Sequence, residues 1–100
     1  MIKITVNQIN NQIDEIIING HSGYAEFGKD IVCASVSSIA ITTINAIVRL
    51  DNKALEYIEK DGYLKIELLK HDRYIDNLIL NMIELLKDLE TKYKKYIKFN

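Results

Sequence analysis

Proline is absent from the 100-residue chain, which holds one cysteine, two histidines and four glycines. A single cysteine cannot form an intrachain disulfide, so the core must come from apolar packing, which a chain of this length can supply as one domain. The lack of disulfides, together with the lack of a charged-then-apolar leader before the first strand-like run, points to a reducing cytoplasm. No Ser/Gly linker or internal repeat divides the chain, and one domain over residues 1–100 is expected. Ser, Thr and Asn interrupt the longest apolar run, which reads as shorter than the ~18 residues of a membrane span, and no membrane association is expected. With 13 basic and 14 acidic side chains the net charge is −1, so nothing draws the chain to nucleic acid, and no direct nucleic-acid contact is expected. His71 has no Cys, His or carboxylate at ligand-like spacing, and neither a metal nor a cofactor is expected.

The scarce residues are concentrated instead. Asn19 to Ser38 reads N-G-H-S-G-Y-A-E-F-G-K-D-I-V-C-A-S-V-S-S and contains Cys33, His21 and three of the glycines, Gly20, Gly23 and Gly28. An apolar strand-like run ends at Gly20 and an apolar helix-like run begins near Ile31, giving strand, glycine-rich loop, helix. Cys33 then lies in the first helical turn, where unpaired N–H groups and the positive end of the helix dipole favour the nucleophilic thiolate. His21, at the rim of the strand, is free to approach it as a base. Taken alone, a Cys and a His twelve positions apart are weak evidence of catalysis, since a free Cys near a helix start is more often a small buried apolar residue.

The two words G-H-S-G-Y-A and G-K-D-I-V-C-A-S-V-S, at their separation here, resemble the signature of the bacterial ribosomal-processing cysteine proteases, the Prp family. The resemblance implies that His21 is the catalytic histidine and Cys33 the nucleophile of a Cys–His dyad. It further implies a substrate, the N-terminal extension of a large-subunit ribosomal protein, cut after aromatic residues. Asp30 and Ser37 also fall on recurrent motif positions, whereas Ser22 departs from the alanine expected there. No third catalytic residue is marked by the motif. Backbone N–H groups at the helix start are candidates for holding the oxyanion.

The remaining sequence supplies a scaffold. Ile2, Ile4 and Val6 alternate with Lys3, Thr5 and Asn7, as in a strand over Met1–Asn7 with one wet face. Asn10-Asn11 reads as a turn into a second strand, Ile13–Asn19, whose run of isoleucines needs cover from a helix or a partner chain. From Asp30, a plausible N-cap, to Arg49 the period is helical. Ser35, Ser38, Thr42, Asn45 and Arg49 form a narrow polar stripe, and the rest is apolar, so this helix should be buried on most sides. Ser37, one turn beyond Cys33, is either a small packing residue or a hydrogen-bonding support for the site. Asn52–Glu59 and Tyr63–Leu69 read as a hairpin around Asp61-Gly62, with Leu64, Ile66 and Leu68 inward. His71 reads as a surface or helix-start residue. Asp72 caps a second helix with Ile75, Leu78, Ile79, Met82, Ile83, Leu85, Leu86 and Leu89 on its apolar face. Lys92–Phe99 is expected to form an edge strand guarded by lysines.

The expected fold is α+β, a mixed sheet with two packed helices in the order β-β-α-β-β-α-β. The apolar excess of the first helix suggests a homodimer. Between its glycine hinges the 20–29 loop holds Tyr24 and Phe27, which either close over a peptide as a lid or pack on the core. Gly20, Tyr24, Phe27, Gly28, Asp30 and Ser37 are thus the candidate substrate-binding or supporting residues. The rival reading is a non-enzymatic ribosome-associated binding protein with a structural Cys33. A redox sensor lacks a resolving cysteine, and the glycine loop lacks the Lys-Ser/Thr ending of a phosphate-binding loop.

Overall fold

Ile2, Ile4 and Val6 do build one face of a strand, and the Asn10-Asn11 pair reverses it with both residues at positive φ, +53° and +64°. Two left-handed residues make a hairpin turn whose twist matches that of the strands it joins, and Asn tolerates that region better than most residues. A computed structural model describes residues 1–100. It has β1 Ile2–Ile9, β2 Gln12–Asn19, α1 Ile31–Leu50, β3 Leu55–Lys60, β4 Tyr63–Leu68, α2 Arg73–Lys92 and β5 Ile97–Phe99. This is the expected order. The sheet runs β3-β4-β2-β1-β5, antiparallel throughout except for the β1–β5 pair.

Register puts the core on one face. Ile4 pairs with Ile18, Ile18 with Leu64 and Ile16 with Ile66, and all five are buried. Both helices cover this face: Val32, Val36, Ala40, Ile44 and Ile47 of α1 and Ile75, Ile79, Met82, Ile83 and Leu86 of α2 join the same cluster. The cover sought for the β2 isoleucines is therefore the protein's own pair of helices. On the opposite face Lys65 reaches Glu67 at 2.9 Å and Glu15 at 3.4 Å. The hydrogen bond to Glu67, then the charges of Glu67 and Glu15, hold its ammonium above the usual lysine range.

Several expectations need correction. β3 begins at Leu55 rather than Asn52, because the Asp51 side chain accepts from the Lys53 N–H at 2.9 Å and folds the intervening residues into a turn. Leu85 lies outside the buried face of α2 and is exposed. The tail is strand only from Ile97, since α2 runs on to Lys92. α1 is long and apolar enough, by length and composition, to cross a membrane, contrary to the sequence reading; the buried side of its apolar surface packs in the core. Its exposed arc is also wider than the polar stripe, for Ile31, Ala34 and Val48 are exposed and Ile41 half-buried.

Neighbouring positions on α2 separate core from surface. Ile79 is 1% exposed and Leu80 48%. Ile79→Ala should cost about 2–5 kcal/mol, the range for deleting a fully buried aliphatic side chain, and Leu80→Ala less than about 1 kcal/mol. Urea denaturation of the two variants measures the difference.

Candidate active site

Gly20 ends β2 at φ +103°, and a Cβ there would meet the Met1 carbonyl oxygen at 2.3 Å. Only glycine allows both the turn and the close approach. Its N–H donates to the Gly62 carbonyl at 2.8 Å. His21 thus leaves the sheet beside the β3–β4 turn. The imidazole is largely exposed, with Nε2 3.8 Å from Asp61 Oδ2.

On the other side of the loop, Asp30 caps α1. Its Oδ1 accepts from the N–H groups of Val32 at 3.0 Å and Cys33 at 2.9 Å. Its Oδ2 accepts from the Ser22 hydroxyl and from the Ala25 N–H at 3.5 Å. Burial pushes this carboxyl up, but the Ser22 hydroxyl and the N–H groups of Cys33, Ala25 and Val32 outweigh it and hold Asp30 below the ordinary value of 3.8. One carboxylate joins the residue after His21 to the turn that carries Cys33. The Ser22 N–H then donates to Cys33 Sγ at 3.4 Å, a bond that a thiolate accepts more strongly than a thiol.

Helix periodicity sets Cys33 at the boundary between the buried side of α1 and the side facing a cleft of about 940 Å³. The cleft lies between the loop, the first turns of α1 and the β3–β4 turn, and both His21 and Cys33 line it. Gly20, Phe27, Gly28, Asp30 and Ser37 line it too, so the structure brings seven of the eight sequence-selected residues together. Phe27 is fully exposed. Tyr24 is the exception: it lies outside the cleft, edge-on to Tyr93 and Tyr96 with ring centroids 5.9 and 5.2 Å apart, and so anchors the loop on the C-terminal segment. Ser37 makes no side-chain hydrogen bond within the protein. His71 pairs with Asp76 at 3.1 Å, away from the cleft.

Three of the helix-start N–H groups do not stand free for an oxyanion, whereas the Ile31 N–H makes no hydrogen bond within the protein. Val32 and Cys33 donate to Asp30 Oδ1, and Ala34 donates to the Asp30 carbonyl at 3.1 Å. The Asp30 side chain thus consumes two of the donors that the sequence suggested, those of Val32 and Cys33. Sequence reasoning also missed Ser22, whose buried hydroxyl both donates to Asp30 and accepts from the Tyr24 N–H at 3.1 Å. A polar residue eight positions before an N-cap Asp carries no local signal of that contact.

The family model for cysteine protease Prp matches residues 1–98. The ribosomal processing cysteine protease Prp of Staphylococcus aureus is 30% identical over 102 residues, spanning 99% of this chain and 95% of the relative. Two crystal structures of an essential ribosomal processing protease Prp from S. aureus share the fold. One, with a covalently linked product peptide, has TM-score 0.87 and 27% identity, covering 99% of this chain and 95% of that one. The other, with a substrate peptide, has TM-score 0.81 and 26% identity at the same coverage. These relatives replace the reading of a non-enzymatic binding protein with that of a cysteine peptidase.

Asp30→Ala removes the cap and the loop tether together, and should cost at least the ~1 kcal/mol typical of an N-cap. Because the folded carboxyl titrates below 3.8, its contribution is complete above that value and disappears as pH falls through the folded pKa. The stability gap between the native protein and Asp30→Ala should therefore be flat near neutral pH and shrink on acidification below 3.8. Denaturant melts of both proteins across this range test it, and a gap independent of pH would contradict it.

Proposed function

The chain belongs to the cysteine protease Prp family, and from that premise we propose that it is a Cys33–His21 dyad endopeptidase that removes the N-terminal extension of a large-subunit ribosomal protein. The observation that carries this reading is the Ser22 N–H donating to Cys33 Sγ, which seats the residue next to His21 on the sulfur in a cleft that both side chains line.

In the proposed reaction the Cys33 thiolate attacks the scissile carbonyl carbon, and the C–N bond breaks as the His21 imidazolium gives its proton to the leaving amine. A water deprotonated by His21 then hydrolyses the thioester, the thiol sulfur leaves, and the dyad is restored. The covalently linked product peptide on the S. aureus relative supports a route through attachment to the enzyme. Cleavage after an aromatic residue suits the cleft, because Ala34, Ser37 and Ala40 leave room on the α1 wall while Ile41 and Phe27 supply apolar contact. Phe27 and Gly28 sit on the part of the loop beyond the Tyr24 anchor, and we assign this part the role of a lid. The exposed apolar residues of α1 beyond the cleft, Val48 and Leu50, support a homodimer, and the cytoplasm is the proposed location.

Incubation with the large-subunit ribosomal proteins of the source organism, followed by mass measurement of their N-termini, tests the activity. Cys33→Ala and His21→Ala should each abolish the truncation while staying folded; truncation by a folded Cys33→Ala protein would remove the nucleophile assignment. Phe27→Ala should lower kcat/KM for the peptide about three- to tenfold, the worth of one aromatic contact, with no change in the alkylation of Cys33 by iodoacetamide. Sedimentation should give a dimer at micromolar concentration.

A further inference from the structure

The β3–β4 turn touches His21 from two sides, although no motif connects them. A Cβ added to Gly62 would lie 2.7 Å from His21 Nε2, 3.1 Å from Cε1 and 3.2 Å from Cδ2. All three nearest atoms belong to the imidazole and none to backbone, so the ring rests on the bare α-carbon of this glycine. Asp61, the preceding residue, has its carboxylate 3.8 Å from the same Nε2. The Gly62 carbonyl also accepts from the N–H of Gly20, the residue before His21, at 2.8 Å. The turn therefore holds the histidine by its backbone neighbour and by its ring face, and sets a carboxylate near one ring nitrogen.

We infer that the Asp61-Gly62 turn is the positioning element for His21, with Gly62 as the seat of the imidazole and the Asp61 carboxylate as a nearby charge that favours the imidazolium. The inference rests on the dyad reading above and deepens it. The imidazole is otherwise largely exposed, and an exposed ring samples several rotamers unless something selects one. With Nε2 against the turn, Nδ1 is the nitrogen left for proton transfer with the thiol. The carboxylate also stabilises the imidazolium that forms when His21 takes the proton of Cys33, and it does so from solvent, so its share is small. The seat matters more, because a ring displaced by a methyl group is misplaced for both proton transfers.

The test is kinetic. Gly62→Ala should lower kcat for peptide cleavage at least about tenfold with KM little changed, and Asp61→Asn should lower it about two- to fivefold. Asp61→Glu should recover part of that loss. Gly62 sits at φ +67°, so Gly62→Asn, which tolerates this region better, serves if Gly62→Ala does not fold. Its Cβ meets the same ring. A double-mutant comparison separates positioning from general damage. Gly62→Asn should slow iodoacetamide alkylation of Cys33 when His21 is present and leave it unchanged in a His21→Ala background. Equal losses in both backgrounds, or a raised KM with kcat unchanged, would overturn the inference. A fully active, folded Gly62→Asn beside an inactive His21→Ala would remove the seat alone, whereas a His21→Ala protein that still cleaves would remove the dyad reading and the seat with it.

Discussion

The Asp30 carboxylate accepts hydrogen bonds from two directions, and the active-site region depends on that division. Oδ1 faces the first turn of α1, and Oδ2 faces the loop that follows His21. Without it the two halves of the proposed dyad would belong to separate elements, one on the rim of a sheet and one on a helix, joined by a glycine-containing segment with a large choice of conformations. A buried or half-buried carboxylate is costly unless its oxygens are satisfied, and here the satisfaction comes from groups that the site needs in place. The same bonds outweigh the burial that pushes the carboxyl up and hold it below its ordinary value, so its tether is at full strength at neutral pH.

That arrangement carries a chemical consequence. A carboxylate at the helix start spends part of the positive potential of the first turn and occupies the N–H groups of Val32 and Cys33. In the proposed reaction, activation of the sulfur would then lean more on the Ser22 N–H and on His21 than on the helix dipole. Support for His21 comes in turn from the far end of the sheet, through the β3–β4 turn. The proposed dyad would thus be held between an N-cap on one side and a hairpin turn on the other.

Local rules made most of the scaffold legible. Alternation in β1 and β4, the Asn10-Asn11 turn, and Asp30 and Asp72 as caps all depend on neighbours within four residues, which a sequence displays directly. His21 and Cys33 were singled out for another reason, since two fixed words carried the resemblance. The contacts that could not be read are those that cross the chain. Tyr24 goes to Tyr93 and Tyr96 because α2 returns the C-terminal segment beside the loop. Gly62 meets His21 only because β4 pairs with β2 and brings its turn to the end of that strand. Asp61-Gly62 was readable as a hairpin signal, and nothing local distinguishes a turn that only reverses the chain from one that also seats a side chain. The exposure of Ala34 and Ile41 was equally hidden, because it depends on how far the sheet extends under α1.

The last constraint concerns the phase of α1. Successive residues of a helix turn by about 100°, so Val32 and Val36 point into the core while Ala34 and Ser37 point outward, and Cys33 falls between them. A nucleophile has to be held and reachable at once. One position earlier it would replace a fully buried valine and lose access; one position later it would be exposed, away from the Ser22 N–H. Half-burial lets core packing fix the Cα while the sulfur stays at the cleft. An apolar helix is a suitable carrier for such a residue, since the side packed on the sheet is fixed by isoleucines and valines that leave little freedom to rotate. The apolar content that makes α1 resemble a membrane span by composition alone therefore has a local purpose, to hold the phase of one cysteine against the Asp30 tether and the His21 seat.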